Sequence, residues 1–202
     1  MKFYYAIRNA VLSRMRDMRA RAQYSPRIYA TLSLAVRLHA AQTRKYTYHP
    51  YWFHVESVMR SLKRLGITEE TILAAALLHD ILEDVPGMSP AKLLQHLLPI
   101  FTPSECYTIV KLVSELSDEY TKENYPQLNR TTRKKLEVAR FAGVSHNSKL
   151  IKLADLNDNT RTISRHDNNF YASTYCREKR ELLRVIVQCN FRLFGYAVKL
   201  AG

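Results

Sequence analysis

The sequence predicts an all-α protein, a compact bundle of about eight to ten helices with no significant sheet. Three observations carry that expectation. Apolar residues recur at three- and four-residue spacing along most of the chain, strict apolar/polar alternation is missing, and Gly occurs only five times in 202 residues. A hydrophobic content of 47% is enough to fill the core of one domain of this length.

The elements follow from their punctuation. Residues 3–22 read as a helix with Arg scattered among its apolar positions, a basic extension over residues 1–24 in front of a single domain over 25–202. A signal peptide would keep a clean apolar block there. Ser25-Pro26, Ser89-Pro90 and Thr102-Pro103 each place a capping hydroxyl before a proline at the first helical position, where the missing N–H costs nothing. They open helices over 26–42, 90–98 and 103–116. A further helix covers 51–65. Thr68 caps the next, with Glu69 and Glu70 in the favourable first turn of its dipole, and this helix runs on until Pro86-Gly87 stops it. Helices over 131–142, 148–163 and 171–199 complete the set, leaving 117–130 and 164–170 as the longest non-helical stretches.

Composition bounds the function. No apolar run approaches the roughly 20 residues of a membrane span, so a soluble, cytoplasmic protein is expected. Cys106, Cys176 and Cys189 are odd in number and in no CxxC spacing, which argues against a disulfide framework or a cysteine-based zinc site. The charge is strongly basic, 31 Lys and Arg against 18 Asp and Glu. Such a balance attracts polyanions without choosing between a nucleic acid, a membrane surface and a phosphorylated nucleotide.

The most informative segment is Ala74-Ala75-Ala76-Leu77-Leu78-His79-Asp80-Ile81-Leu82-Glu83-Asp84. Four polar residues interrupt an almost wholly apolar helix, and a buried ionisable group is costly unless it is paired or binds a metal. On a continuous helix, His79 would stack with Glu83 and Asp80 with Asp84. A His with a carboxylate suits a borderline divalent ion such as Mn, Fe or Zn, but one helix cannot complete its coordination. Two further candidates stand in apolar surroundings: His54, after Pro50-Tyr51-Trp52-Phe53, and Asp155, in Leu150-Ile151-Lys152-Leu153-Ala154-Asp155. Asp155 could instead cap its helix or pair with Lys152.

The order His, His-Asp, Asp resembles the HD superfamily of metal-dependent phosphohydrolases. His79-Asp80-Ile81-Leu82-Glu83-Asp84 is similar to the HDxxED motif of one branch, the RelA/SpoT hydrolase domain and its stand-alone relatives, the small alarmone hydrolases of the metazoan SpoT homologue type. Gln42-Thr43-Arg44-Lys45 with Pro50-Tyr51 and His54 resembles that branch's RK…PYxxH segment. Lys149 to Asp155 with Asn159 and Arg161-Thr162 resembles its KLADxxxNxRT helix, and Leu116-Ser117-Asp118 with Asn129-Arg130 and Arg133-Lys134-Lys135-Leu136 its basic connecting segment. The likeness spans residues 30–190.

The resemblance implies an HD-domain helical bundle that hydrolyses the 3′-pyrophosphate of (p)ppGpp or its adenine counterpart ppApp, with one Mn²⁺ per site. It makes His54, His79, Asp80 and Asp155 the metal ligands, and gives Glu83 and Asp84 the task of positioning and activating the attacking water. Arg44 and Lys45 would lie against the base and Asn159 would contact the ribose. Arg130 and Lys134 are candidates for the phosphates, and Tyr175 and Lys179 are further substrate contacts. With 202 residues, a hydrolase without a synthetase domain is expected. The partner is then a small nucleotide, membranes and nucleic acid are disfavoured, and a homo-oligomer is compatible.

The chain departs from the pattern in three places. Tyr46-Thr47-Tyr48-His49 replaces the usual Gly-containing turn between RK and PY, Leu156 follows the KLAD aspartate in place of Arg or Lys, and Asp158 precedes Asn159. Guanine versus adenine preference is therefore open. Two alternatives compete: a phosphatase for NADPH or general nucleotides on the same metal site, and an inactive nucleic-acid-binding module, motivated by Arg8, Arg14, Arg16, Arg19 and Arg21.

Overall fold

The computed structural model describes residues 23–186 together with residues 195 and 197. The helix expected over 3–22 and the end of the one expected over 171–199 lie outside the described residues. In chain order the helices are α1 (Pro26–Leu38), α2 (Trp52–Arg64), α3 (Glu70–Leu78), α4 (Ile81–Asp84), α5 (Pro90–Leu97), α6 (Pro103–Leu116), α7 (Arg130–Ala142), α8 (His146–His166), α9 (Asn168–Phe170) and, after a π-helical turn at Tyr171–Tyr175, α10 (Cys176–Ile186). Among the described residues the β-structure amounts to one isolated bridge, Thr43 to Pro50. No described helix is long and apolar enough to cross a membrane.

Helix α3 organises the bundle. Every residue from Ile72 to Leu78 is buried, so the helix is apolar all round and must be covered on all sides. The cover comes from α1, α2, α6 and α8. Caps hold the ends of the covering helices: Ser25 Oγ accepts from the Ile28 N–H at 3.3 Å, Asn129 Oδ1 from the Thr132 N–H at 2.9 Å, and Ser145 Oγ from the Ser148 N–H at 3.3 Å. Glu105 reaches back to the Thr102 N–H at 2.9 Å at the start of α6. On the far side, α7 and α10 pack on one another.

Two departures from the sequence expectation shape the site. The first helix stops at Leu38, four residues short of the expected 42, because buried His39 turns the chain and its Nδ1 donates to Gln42 Oε1 at 2.5 Å. The loop that follows is closed by the Arg44 N–H to His49 O at 2.8 Å and the Tyr51 N–H to Gln42 O at 3.0 Å. Within it Tyr48 takes φ 55°, the left-handed conformation that a Gly would adopt without strain. The second departure is a break at the His-Asp pair. Helix α3 ends at Leu78, Asp80 sits at φ −96° and ψ 0°, and its carbonyl receives the N–H groups of both Glu83 (3.2 Å) and Asp84 (2.8 Å). The expected stacking of His79 on Glu83 and of Asp80 on Asp84 along one helix is therefore replaced. Neighbours on an α-helix point roughly 100° apart, so His79 and Asp80 can face one point only if the helix yields between them.

Candidate metal centre and adjoining cleft

Three elements converge on one point. Helix α2 brings His54, the broken end of α3 brings His79 and Asp80, and α8 brings Asp155. His79 Nε2 stands 3.0 Å from Asp80 Oδ2 and 3.7 Å from Asp155 Oδ1. His54 Nε2 stands 3.1 Å from Asp155 Oδ1 and 3.6 Å from Asp80 Oδ2. One donor atom each from His54, His79 and Asp80 lies within 4.8 Å of the others, a set that could hold a divalent metal ion. Asp155 faces the same two nitrogens, but it also accepts from Asn159 Nδ2 at 2.6 Å and pairs through Oδ2 with Lys152 Nζ at 3.3 Å. Asp155 thus pairs with Lys152, one of the alternatives open from sequence, and also stands beside both imidazoles.

The imidazoles are oriented from behind. His79 Nδ1 donates to the Ala76 carbonyl at 2.9 Å and His54 Nδ1 to Asp158 Oδ2 at 2.7 Å, so both Nε2 atoms face the cluster. Both are buried, and neither forms a hydrogen bond despite the nearby carboxylates. With Nδ1 donating on each ring, the Nε2 atoms and the carboxylate oxygens face one another at 3.0 to 3.7 Å, which is the arrangement expected when a cation belongs between nitrogens and oxygens. The electrostatics agree. Burial opposes charge at every member, yet Asp80 and Asp155 carry His79 well above its ordinary range, and Asp155 and Asp158 raise His54. In return His79 holds Asp80 low, and Lys152 with the two imidazoles holds Asp155 well below the usual carboxylate range, in each case against burial. The donor set of imidazole and carboxylate therefore fits a divalent ion.

A cavity of about 650 Å³ adjoins the cluster, sharing Asp155 with it. That size suits a nucleotide-scale ligand. Of the residues predicted from sequence, Glu83, Lys134, Asp155, Asn159, Tyr175 and Lys179 line it. Glu83 is exposed by surface area, but it is exposed to this concavity, and desolvation together with Asp118 and Asp80 pushes it up to about 7 against the pull of Lys152. One of its oxygens accepts the Asp118 N–H at 2.6 Å. Lys134 pairs with Asp118 at 2.7 Å. Tyr175 donates to the Leu156 carbonyl at 3.2 Å, and buried Lys179 donates to Thr160 Oγ1 at 2.8 Å.

Besides His54, His79 and Asp80 of the cluster, four predicted residues stand outside the lining. Arg44 lies along α8, with its NH1 group 3.1 Å from Asp158 and its NH2 group donating to Asn159 Oδ1 at 3.3 Å and Thr162 Oγ1 at 3.0 Å. Lys45 is exposed, with its Nζ 4.8 Å from the centre of the Tyr46 ring. Arg130 is held in a bidentate pair with Glu178 at 2.8 and 2.9 Å. Asp84 is exposed beside the cluster, and burial and Asp80 raise its pKa while Tyr51 works against them.

Sequence reasoning missed several participants. Tyr51 donates to Asp80 Oδ2 at 2.6 Å, and Lys152 is a half-buried cation facing Asp155, Asp118 and Glu83, which together raise its pKa against desolvation. Only the three-residue spacing of Lys152 and Asp155 hinted at the latter. Asp158 was visible as a departure from the family pattern, but nothing in the sequence said that it meets His54.

The HD domain family model matches residues 31–182. Guanosine-3′,5′-bis(diphosphate) 3′-pyrophosphohydrolase MESH1 of Drosophila melanogaster is 34% identical over 141 residues, 69% of this chain and 70% of that protein. The human protein of the same name is 35% identical over 133 residues, 65% of this chain and 66% of its own length. Among solved structures, one described as a metazoan ortholog of SpoT that hydrolyses ppGpp and plays a role in starvation responses superposes with a TM-score of 0.72 at 27% identity, covering 88% of this chain and 94% of that one. A Listeria monocytogenes protein at 18% identity and a TM-score of 0.55 shares the fold, with 79% and 95% covered. With its broken His79-Asp80 helix and converging His54 and Asp155, this chain belongs to the HD domain family and, within it, groups with the MESH1 proteins.

Proposed function

We propose that this chain is a 3′-pyrophosphohydrolase of (p)ppGpp-type alarmones, yielding GDP or GTP, or the adenine equivalents, and pyrophosphate. The observation that carries the reading is the pair of buried Nε2 atoms, on separate elements, turned without hydrogen bonds toward Asp80 and Asp155 at the edge of a nucleotide-sized cavity. The relatives named for this activity support it. The ion in this reading is Mn²⁺, held by His54, His79, Asp80 and Asp155. Bound there, it would supply charge neutralisation for the phosphate oxygens and lower the pKa of the attacking water.

The remaining steps fall to the chain's own residues. Glu83, with a pKa pushed up to about 7, takes the proton of the water as that water adds to the phosphorus attached to the ribose 3′ oxygen. The P–O3′ bond breaks, pyrophosphate departs with the water's oxygen, and a proton returns to the 3′ oxygen. Asp84 helps to orient the water. Asn159 reads the ribose from one helical turn beyond Asp155, and the planar guanidinium of Arg44, with Lys45 beside it, faces the base. Lys134, Lys179 and Tyr175 meet the phosphates inside the cavity, and Arg130 joins them when it exchanges Glu178 for phosphate. Residues 25–202 act as one hydrolase domain, with residues 1–24 as a basic appendage.

Turnover of ppGpp, ppApp, NADPH and dNTPs with Mn²⁺, with products identified, tests the reading. Pyrophosphate from ppGpp or ppApp is expected. Release of inorganic phosphate alone, from any of the four, would favour a general phosphatase and defeat the proposal. Asp80→Ala and His54→Ala should lose bound metal and activity together.

A further inference from the structure

Asp158 lies three residues beyond Asp155 on α8, so the two carboxylates share a face of the helix one turn apart. They meet the same imidazole from opposite ends. Asp155 Oδ1 stands 3.1 Å from His54 Nε2, and Asp158 Oδ2 accepts from His54 Nδ1 at 2.7 Å. The other Asp158 oxygen accepts from Ser57 Oγ at 2.6 Å, one turn along α2 from His54, and Oδ2 is also 3.1 Å from the Arg44 guanidinium. His79, by contrast, is oriented by a backbone carbonyl.

We infer that Asp158 is a positioning residue that joins the metal centre to the nucleotide-binding arginine: through one carboxylate it fixes His54 with Nε2 toward the ion and holds Arg44 along α8. The inference rests on the metal-centre reading above and concerns a position where this chain departs from its family's pattern. The physical basis is the general one that a ligating imidazole needs its second nitrogen engaged by an acceptor. Neutral imidazole with Nδ1–H bound to Asp158 can present only Nε2 as a lone pair. Because Oδ2 serves both His54 and Arg44, removing its charge should loosen metal and nucleotide together, although Asp158 itself faces neither in the cavity lining.

The test uses the full chain stripped of metal, with Mn²⁺ as the probe. Asp158→Asn, nearly isosteric, should weaken Mn²⁺ binding by about 10- to 100-fold in calorimetry. In the metal-free protein, long-range ¹H–¹⁵N spectra of the histidine rings should show the His54 Nδ1–H signal shifted or lost in Asp158→Asn while the His79 Nδ1–H signal, held by the Ala76 carbonyl, is unchanged. At saturating Mn²⁺ the variant's KM for ppGpp should rise, whereas Arg44→Ala should raise KM and leave Mn²⁺ affinity unchanged. Ser57→Ala removes one support of Asp158 and should move Mn²⁺ affinity in the same direction by less, which keeps the inference testable if Asp158→Asn does not fold. Wild-type Mn²⁺ affinity and an unaltered His54 signal in Asp158→Asn would overturn the inference alone. A wild-type chain that binds no Mn²⁺ would instead overturn the metal-centre reading beneath it.

Discussion

Lys179→Met should stabilise this protein and weaken its grip on nucleotide at the same time. Lys179 is 2% exposed, its Nζ donates to Thr160 Oγ1 at 2.8 Å, and no carboxylate pairs with it among the described residues. Desolvation lowers its pKa from 10.5 to about 8, with Cys176 opposing slightly. That difference corresponds to about 3 kcal/mol spent on keeping a buried ammonium charged at pH 7. Methionine has similar length and removes the charge, while the lost hydrogen bond costs about 1 kcal/mol, leaving a net gain of about 2 kcal/mol. For a domain of this size such a gain raises Tm by about 4–8 °C. The pH dependence has a definite sign. The folded pKa lies below the unfolded one, so the penalty is full below pH 8 and fades as pH rises toward 10.5, where the folded chain no longer binds fewer protons than the unfolded one. Urea denaturation of both proteins at pH 7 and pH 9.5 should show the advantage of the variant shrinking at the higher pH. On the proposed role of Lys179 at the phosphates, nucleotide affinity should fall by about tenfold or more, as expected for loss of a charge-assisted contact. A variant less stable at pH 7, or an advantage independent of pH, would show that the ammonium is not held at that cost.

Three other outcomes follow from the same structure. Glu83→Gln should retain bound metal while kcat falls by about 10²- to 10⁴-fold, and the wild-type rate should climb as pH passes about 7 and the carboxylate becomes the free base; full turnover by the variant would remove Glu83 from the chemistry. Tyr48→Gly relieves a left-handed φ of 55° at a side chain that is 75% exposed, so thermal melts should show a gain of about 1 kcal/mol. A lowered Tm would mean that the Tyr48 ring supports the Arg44–His49 turn. Removing metal with a chelator should lower Tm and adding Mn²⁺ should restore it, by about 2.7 kcal/mol at a hundredfold excess over Kd; an unchanged melt would count against an ion at His54, His79 and Asp80.

The helical class, most helix starts and the identity of the converging residues were legible in the chain, because they depend on local rules. Ser-Pro and Thr-Pro punctuation, a buried apolar run at 72–78 and ionisable residues stranded in apolar helices are all short-range signals. What failed was also local in form but not in cause. Continuous helix propensity runs through His79-Asp80, and the break there comes from two side chains seeking one point that lies on other elements. The early end of α1 at Leu38 likewise follows from the burial of His39. Periodicity cannot register either constraint.

By itself, then, the sequence singled out the candidate residues: His54, His79, Asp80 and Asp155 are ionisable side chains stranded in apolar helices, Glu83 follows in an acidic pair, and their order resembles a known pattern. Only the tertiary structure decided how they are wired. Asp158 behind His54, Lys152 between Asp155 and Glu83, and Arg44 laid along α8 are contacts across 104 to 118 residues of chain in the longest cases. Such pairings depend on where three helices cross, and crossing is set by the packing of whole apolar faces, which the residues that meet there do not encode.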